Sequence, residues 1–357
     1  MPTSTTTMVS NSDIDFYFTS VNASFLKALK GNNRAVYSSI AYVPPAGGTK
    51  QDRVGVELPD GTMGNGTKVR FPINLAASLP EEWAYGQPRK IEPFSTLEVD
   101  LLLKRWAPPS KREFYDVMNS DLFGLIKAQL PDMMDRALIL WDMVLARRIA
   151  ENAAWSPDNL PFFTPASAPH QANPFKPGPT FYNDVPITGI DLPEMRRLLG
   201  ILESVPGPDG LPLDTDNVEI VALAPTPDME IQLLQVFQAA IAAQPVGANA
   251  AAGVENMLKG RARVQLFKHL FRTSAAPTFG GTAQDRGKVG YLLAVPKGDG
   301  RPFAVVPSRQ PTAYYTGLNG SDHLRASQGA VEFGWDAFGD AKLVVPHRAL
   351  RFVINPA

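Results

Sequence analysis

The chain is 357 residues long, contains no cysteine and four histidines, and carries a formal net charge of −1. The missing cysteines exclude a disulfide scaffold and a thiol nucleophile, and the near-zero charge argues against a simple cationic nucleic-acid binder. Charged residues make up only 19% of the chain, below the usual quarter, so its surface is easier than most to desolvate against another subunit.

The first residues, MPTSTTTMVSNSDIDF, have neither a basic run nor an apolar one and do not read as a secretion signal. No apolar stretch reaches the roughly 18 residues that a spanning helix needs, so no membrane association is expected. Residues 1–35 read as a polar arm with apolar anchors, among them Phe16, Tyr17, Phe18 and Phe25, and Ser24–Leu29 fits a short helix. Ala35–Val43 has strand character. After a break at Pro44-Pro45 and Gly47-Gly48, the residues Val54, Val56 and Leu58 alternate with polar neighbours. Pro59-Asp60-Gly61 then signals a turn, and Val69, Phe71 and Ile73 alternate again. The pattern predicts a long two-stranded excursion with a glycine-rich tip at Gly61–Gly66. An isolated hairpin is marginal in water, so this one needs a surface to lie on, and a neighbouring copy is the natural candidate.

Alternation from Leu97 to Leu103 predicts a strand. Residues 120–153 carry the strongest helical period, with Leu130, Met134, Ala137, Leu138, Trp141, Val144, Leu145 and Ile149 on one face. Asp132, Arg136, Asp142, Arg147 and Arg148 fall on the opposite, solvent-directed face. Pro131 predicts a kink or break near Leu130, with a surviving helix of roughly 30 Å. A proline-rich stretch over 154–187 follows. Asp191 and Glu194 then form a capping box ahead of a helix burying Leu192, Met195, Leu198, Leu199 and Leu202. Val218–Leu223 reads as a strand. Thr226-Pro227-Asp228 opens a helix that buries Met229, Leu233, Val236, Phe237 and Ile241. Gly247–Gly253 is a small-residue loop. Strands are expected at Val264–Phe267, Val289–Val295, Phe303–Val306, Ala330–Trp335 and Leu350–Ile354.

Several motifs suggest chemistry, and each has a plainer reading. The glycines before Lys68 lack the Gly-Lys-Ser/Thr order that opens a phosphate-binding helix, so a hairpin tip is favoured. Ser321-Asp322-His323 has the residue types of a hydrolase triad, but adjacent residues cannot build the relay. Glu81-Glu82, Asp132 and Asp135 suit surface charge or salt bridges better than a glycosidase pair. The five tryptophans are scattered and read as core or interface anchors. Lys104, Arg105, Lys111, Arg112, Arg147 and Arg148 lack interleaved stacking aromatics; a structural role is preferred to a weak, sequence-blind contact with DNA. The sequons at Asn22, Asn65 and Asn319 read as chance.

The order of parts resembles the tailed-phage major capsid protein family, with its α+β, Hong Kong 97-like fold. The segment from Trp83 through Arg89-Lys90-Ile91, the strand Leu97–Leu103, Lys104-Arg105-Trp106, Asp121-Leu-Phe-Gly124 and the helix through Trp141 is most similar to Mu-type major head subunits. So is Leu160-Pro-Phe-Phe163 with His170 and Asn173-Pro174 after it. Pro131 and the proline-rich insertion at 165–179 depart from that pattern.

The resemblance implies an N-terminal arm (1–35) and an extended β-hairpin loop (36–80) lying over the adjacent subunit. It implies a peripheral domain with the spine helix (81–185 and 301–340) and an α/β axial domain (186–300 and 341–357), with Gly247–Gly253 near the capsomer axis. The chain would then assemble with itself into hexamers and pentamers of a closed icosahedral shell around phage dsDNA, and portal, scaffold or decoration proteins would be partners. It would have no enzymatic activity and no cofactor or metal, be assembled in the bacterial host cytoplasm, and reside in the virion. Subunit contact would rest on Phe16 and Phe25 of the arm. Arg53, Glu57, Lys68 and Arg70 of the loop would reach charged partners next door, and Trp83, Arg89 and Trp106 would sit at the loop's base. Two other readings stay open: an encapsulin-like protein nanocompartment, and a hydrolase with unrecognised carboxylates.

Overall fold

A computed structural model of the chain describes residues 16, 19–24, 27–28, 35–44, 50–57, 63–74, 96–107, 111–114, 131–174, 177–207, 210, 212, 218–239, 256–272, 287–297, 300–316 and 330–355. Residues 16, 19–24 and 27–28 are helical. There follow α1 (Tyr37–Ile40), β1 (Ala41–Tyr42), β2 (Lys50–Glu57), β3 (Met63–Asn74), β4 (Thr96–Leu102), β5 (Lys104–Trp106) and β6 (Lys111–Phe114). Next come α2 (131–138), α3 (Leu140–Glu151), β7 (His170–Gln171), β8 (Thr180–Phe181), β9 (Asp184–Ile187) and α4 (Leu192–Glu203). The remainder is β10 (Val218–Ala224), α5 (Pro227–Phe237), β11 (Arg263–Leu266), α6 (His269–Arg272), β12 (Val289–Pro296), β13 (Phe303–Thr316), β14 (Ala330–Leu343) and β15 (Ala349–Ile354).

Two five-stranded sheets organise this α+β fold. The first runs β1-β13-β14-β5, with β6 also paired to β14; the second runs β11-β10-β12-β15-β9. In the second sheet Val289–Val295 of β12 and the last five residues of β10, Ile220–Ala224, are apolar and buried because both faces are covered. Val221, Leu223, Tyr291, Leu293 and Val295 point into one core with the spine helix α3. Their alternate neighbours Ile220, Ala222, Leu292 and Ala294 point into a second core under α4 and α5. The spine helix buries Trp141, Val144, Leu145 and Ile149 in the first core, which also takes Phe303, Val305, Phe333 and Trp335 from the first sheet.

Local signals in the sequence set both helices of the second sheet. Asp191 accepts a hydrogen bond from Glu194 N–H, and Thr226 accepts one from Met229 N–H, each with proline in the first turn. The Glu194 carboxylate pairs with Arg197. The buried stripes are those expected, apart from Leu192, which is only partly buried, and Ile241, which lies outside the described residues.

Three expectations are corrected. Ala35–Val43 is not one strand: α1 forms at Tyr37–Ile40 and only Ala41–Tyr42 extend. The cause is remote, since the Asp142 carboxylate accepts the N–H groups of Val36 (3.3 Å) and Tyr37 (2.7 Å) and caps that turn from the spine helix. Asp142 is accordingly buried instead of facing solvent. A helix interruption lies at Ile139 (φ −98°, ψ 3°), eight residues after Pro131, while the break expected near Leu130 lies outside the described residues. Finally, β13 and β14 each extend to 14 residues. Register shifts in β13 fall between Val306 and Arg309 and between Arg309 and Thr312. Pro307 and Pro311 occupy those gaps, so each proline that cannot donate to the ladder is accommodated by a bulge without ending the strand.

Within β14, Gly339 lies flat against the Trp141 ring, and a Cβ there would overlap both that ring and the Val306 carbonyl. Gly339→Ala is expected to lower stability by about 2 kcal/mol, measured as a lower urea midpoint at unchanged slope. A bidentate ion pair locks β15 to β9: Arg351 Nη2 and Nε donate to Asp184 at 2.8 and 3.2 Å, both residues buried, with the guanidinium 5.1 Å from the Phe163 ring centre.

Candidate assembly surface

The excursion predicted from alternation is present as a three-stranded strap. β2 and β3 pair from Lys50↔Arg70 to Glu57↔Met63, and β3 pairs with β4 from Lys68↔Leu102 to Asn74↔Thr96. The third member is the strand expected at Leu97–Leu103, whose pairing with the hairpin was not foreseen, and Gly64 and Gly66 lie inside β3 instead of at the tip. Val69, Leu101 and Leu103 anchor the strap's middle in the first core. From that anchor β2 and β3 run on as paired strands for about 25 Å at 3.3 Å per residue.

Charge is concentrated at the anchor. Asp100 meets Lys68 Nζ at 2.5 Å and Arg70 Nε at 2.9 Å. Lys342 of β14 donates to the Asp100 carbonyl at 2.7 Å and to Ser156 Oγ at 3.2 Å, tying strap to sheet. Partial burial pushes the Asp100 carboxyl up, but hydrogen bonds and charge from Lys68 and Arg70 outweigh it and hold the group below the usual carboxylate range. Lys68 and Arg70, expected to reach a neighbour, are thus engaged within their own chain.

The other residues expected at contacts are distributed as follows. Phe16 is 76% exposed. Trp106 is half-buried, its indole N–H donating to Gly339 O at 2.8 Å, which places it in the strand junction. Arg53 and Glu57 lie on β2, paired to Thr67 and Met63. Phe25, Trp83 and Arg89 lie outside the described residues, as do Gly247–Gly253, Glu81-Glu82 and Ser321-Asp322-His323. Arg147 and Arg148 are absorbed by Glu151 and Asp340.

Two features escaped sequence reading. Asn22 sits against the edge of β13: Ala313 N–H donates to its Oδ1 at 2.9 Å and its Nδ2 donates to Ala313 O at 3.3 Å. One side-chain amide thereby supplies the pair of bonds that a strand would. The second feature is a buried aromatic hub. Trp155, His170, Phe181 and His347 pack with ring centres 4.4–5.8 Å apart. His170 Nδ1 lies 2.5 Å from Asp158 Oδ2 and its Nε2 3.2 Å from Phe162 O. His347 Nε2 lies 2.9 Å from Ala172 O, an acceptor, so the proton sits on Nε2. Burial pushes His347 down to about 4. Burial likewise pushes the Asp142 carboxyl up to about 6, against the two backbone N–H groups that it accepts. The hub's four rings are buried and join segments far apart in the chain. Among the described residues no cluster of three or more histidines and carboxylates has metal-binding geometry, and no described helix is long and apolar enough to cross a membrane.

No protein-family profile matches the sequence, and no curated protein does. Solved structures do match. The chain is similar to the asymmetric unit of the bacteriophage PhiM1 mature capsid at 12% identity and a TM-score of 0.42, over 89% of this chain and 86% of that one. It is similar to a structure from Mycobacterium phage Patience at 9% identity and a TM-score of 0.44, over 98% and 89%. A third likeness is to the procapsid of bacteriophage JBD30, at 13% identity and a TM-score of 0.44, over 97% and 76%. Identity this low transfers no residue roles, and the functional reading below rests on the chain's own geometry.

Proposed function

We propose that this chain is the shell-forming subunit of a tailed-phage head, assembling with itself into a closed container for dsDNA. The observation that carries the reading is the strap. Among the described residues Val69, Leu101 and Leu103 anchor it in the core, while β2 and β3 stay paired beyond that anchor. A hairpin of this length is marginal alone, and a neighbouring copy supplies the missing surface. The order of parts supports the same reading: an arm, the strap, a spine helix, and a second sheet flanked by helices. On this reading 1–35 is the arm, the first sheet with α3 is the peripheral part, and the second sheet with α4 and α5 is the axial part. Each subunit then grips several neighbours, and modest contacts add through multivalency. Hexamers and pentamers, the virion as the final location, and portal, scaffold or decoration partners belong to this proposal.

Negative-stain microscopy with sedimentation of the purified protein is the test. Closed particles tens of nanometres across are expected. A compact monomer at high concentration would overturn the reading, and particles filled with protein instead of DNA would move it to a nanocompartment.

A further inference from the structure

The face of the first sheet turned away from the spine helix carries a charge cluster that the fold itself does not need. Trp335, Ala337 and Gly339 of β14 face the core; Asp336 and Phe338 alternate with them, and Phe338 is partly buried and also packs against the core. Arg105 of β5 and Arg309 of β13 are both paired in register with Phe338, and so flank it on the same face. Arg105 Nη2 lies 3.0 Å from Asp336 Oδ2, and Arg309 Nη2 lies 3.3 Å from Asp336 Oδ1. These four residues line a shallow open pocket of about 310 Å³. The carboxylate is sunk, with its side chain 9% exposed, whereas the Arg105 and Arg309 side chains are 73% and 57% exposed.

The balance is two guanidiniums against one carboxylate. Asp336 Oδ2 accepts from Arg105 Nη2 at 3.0 Å and from Arg309 Nη1 at 3.4 Å, and both guanidinium side chains stay mostly exposed. Guanidinium forks bind carboxylates in bidentate fashion, and one further carboxylate brings the cluster to neutrality. A phosphate backbone is the poorer fit: it favours an unbroken cationic stripe, and here a fixed anion stands in the middle. Phe338 provides an apolar floor for the methylenes of an entering side chain.

Resting on the shell reading given above, we infer that Arg105, Arg309 and Asp336 form a docking site for an aspartate or glutamate side chain of a second copy. The site then fixes the register of one subunit against the next. Buried charge pairs of this kind set specificity between partners more than gross affinity.

The test is a charge-free replacement, Arg105→Gln with Arg309→Gln and Asp336→Asn, which leaves no orphaned buried charge. The unassembled variant is expected to match the parent in far-UV dichroism and to melt within a few degrees of it, because exposed ion pairs contribute little. Assembly, followed by sedimentation and negative stain, is expected to need roughly tenfold more subunit and to lose most of its dependence on salt. Parent-like yield and parent-like salt dependence in the variant would overturn the inference. So would normal shells that fail to retain dsDNA, since phosphate would then be the ligand. Should the parent itself stay monomeric, the shell reading fails instead, and the two failures are told apart by the parent alone.

Discussion

Replacing residues 54–66 by Asn-Gly should give a folded subunit that no longer closes shells. The replacement keeps the Arg53↔Thr67 pair and joins it by a two-residue turn suited to a hairpin. It also spares Lys68, Val69, Arg70 and the Thr67 carbonyl that accepts Leu103 N–H at 2.9 Å, so the anchor in the core is untouched. Dichroism and the urea midpoint should therefore stay close to the parent's, while sedimentation should show only small species and micrographs no closed particles. A cut reaching Val69 would remove a fully buried core residue and confound folding with assembly. Normal particles from the shortened chain would refute the role given to the strap.

The second large effect is in the response of the unassembled subunit to pH. Asp142 has a folded-state value raised to about 6, so the native state holds the extra proton between roughly pH 4 and 6. Its contribution is full below the unfolded value near 4 and is lost as pH rises through 6. His347 is depressed to about 4, so its contribution is full above the unfolded value near 6.5 and is lost as pH falls toward 4. Each shift of roughly two units corresponds to something on the order of 3 kcal/mol. Over the same window the two run in opposite directions and largely cancel. Asp142→Asn, which keeps one acceptor oxygen for the shorter bond from Tyr37 N–H, lowers stability at every pH but should expose the histidine: stability falls as the solution is acidified from pH 6.5 to 4. His347→Gln, which keeps a donor for Ala172 O, should expose the carboxylate: stability rises over that range. Urea midpoints against pH for the parent and both variants are the measurement. Three parallel curves would show that neither group is linked to folding.

How much of this was legible in the sequence depended on where the partner of each residue lay. Period-two alternation found β2, β3 and β4, and short apolar runs found β10, β12 and β15, because both signals are written within the strand itself. Capping of α4 and α5 was visible because Asp191 and Thr226 act on residues three positions away. What failed were contacts that cross the chain. The cap on α1 comes from Asp142, more than 100 residues later, and turned an apparent strand into a helical turn. The same contact turned a charge assigned to the solvent face into a buried one. The strand expected over Phe303–Val306 runs on past Pro307 and Pro311, carried by bulges. For the candidate interface, residue type marked Lys68, Arg70 and Trp106 as notable but could not say with whom. All three find partners inside the chain. The Arg105–Asp336–Arg309 cluster, spread over three strands, left no local signal.

The amide of Asn22 has a practical corollary. Beyond Phe303–Ala304, where β1 pairs, the outer margin of β13 has no strand neighbour among the described residues, and this one side chain plugs a rung of it at Ala313. Bare strand margins recruit other strands. A protease or a cloning decision that trims the front end short of position 22 leaves the guard in place. One that trims past it converts a well-behaved building block into a self-adhesive one, and precipitation would then report a lost doorstop at the margin while the body beneath stayed intact.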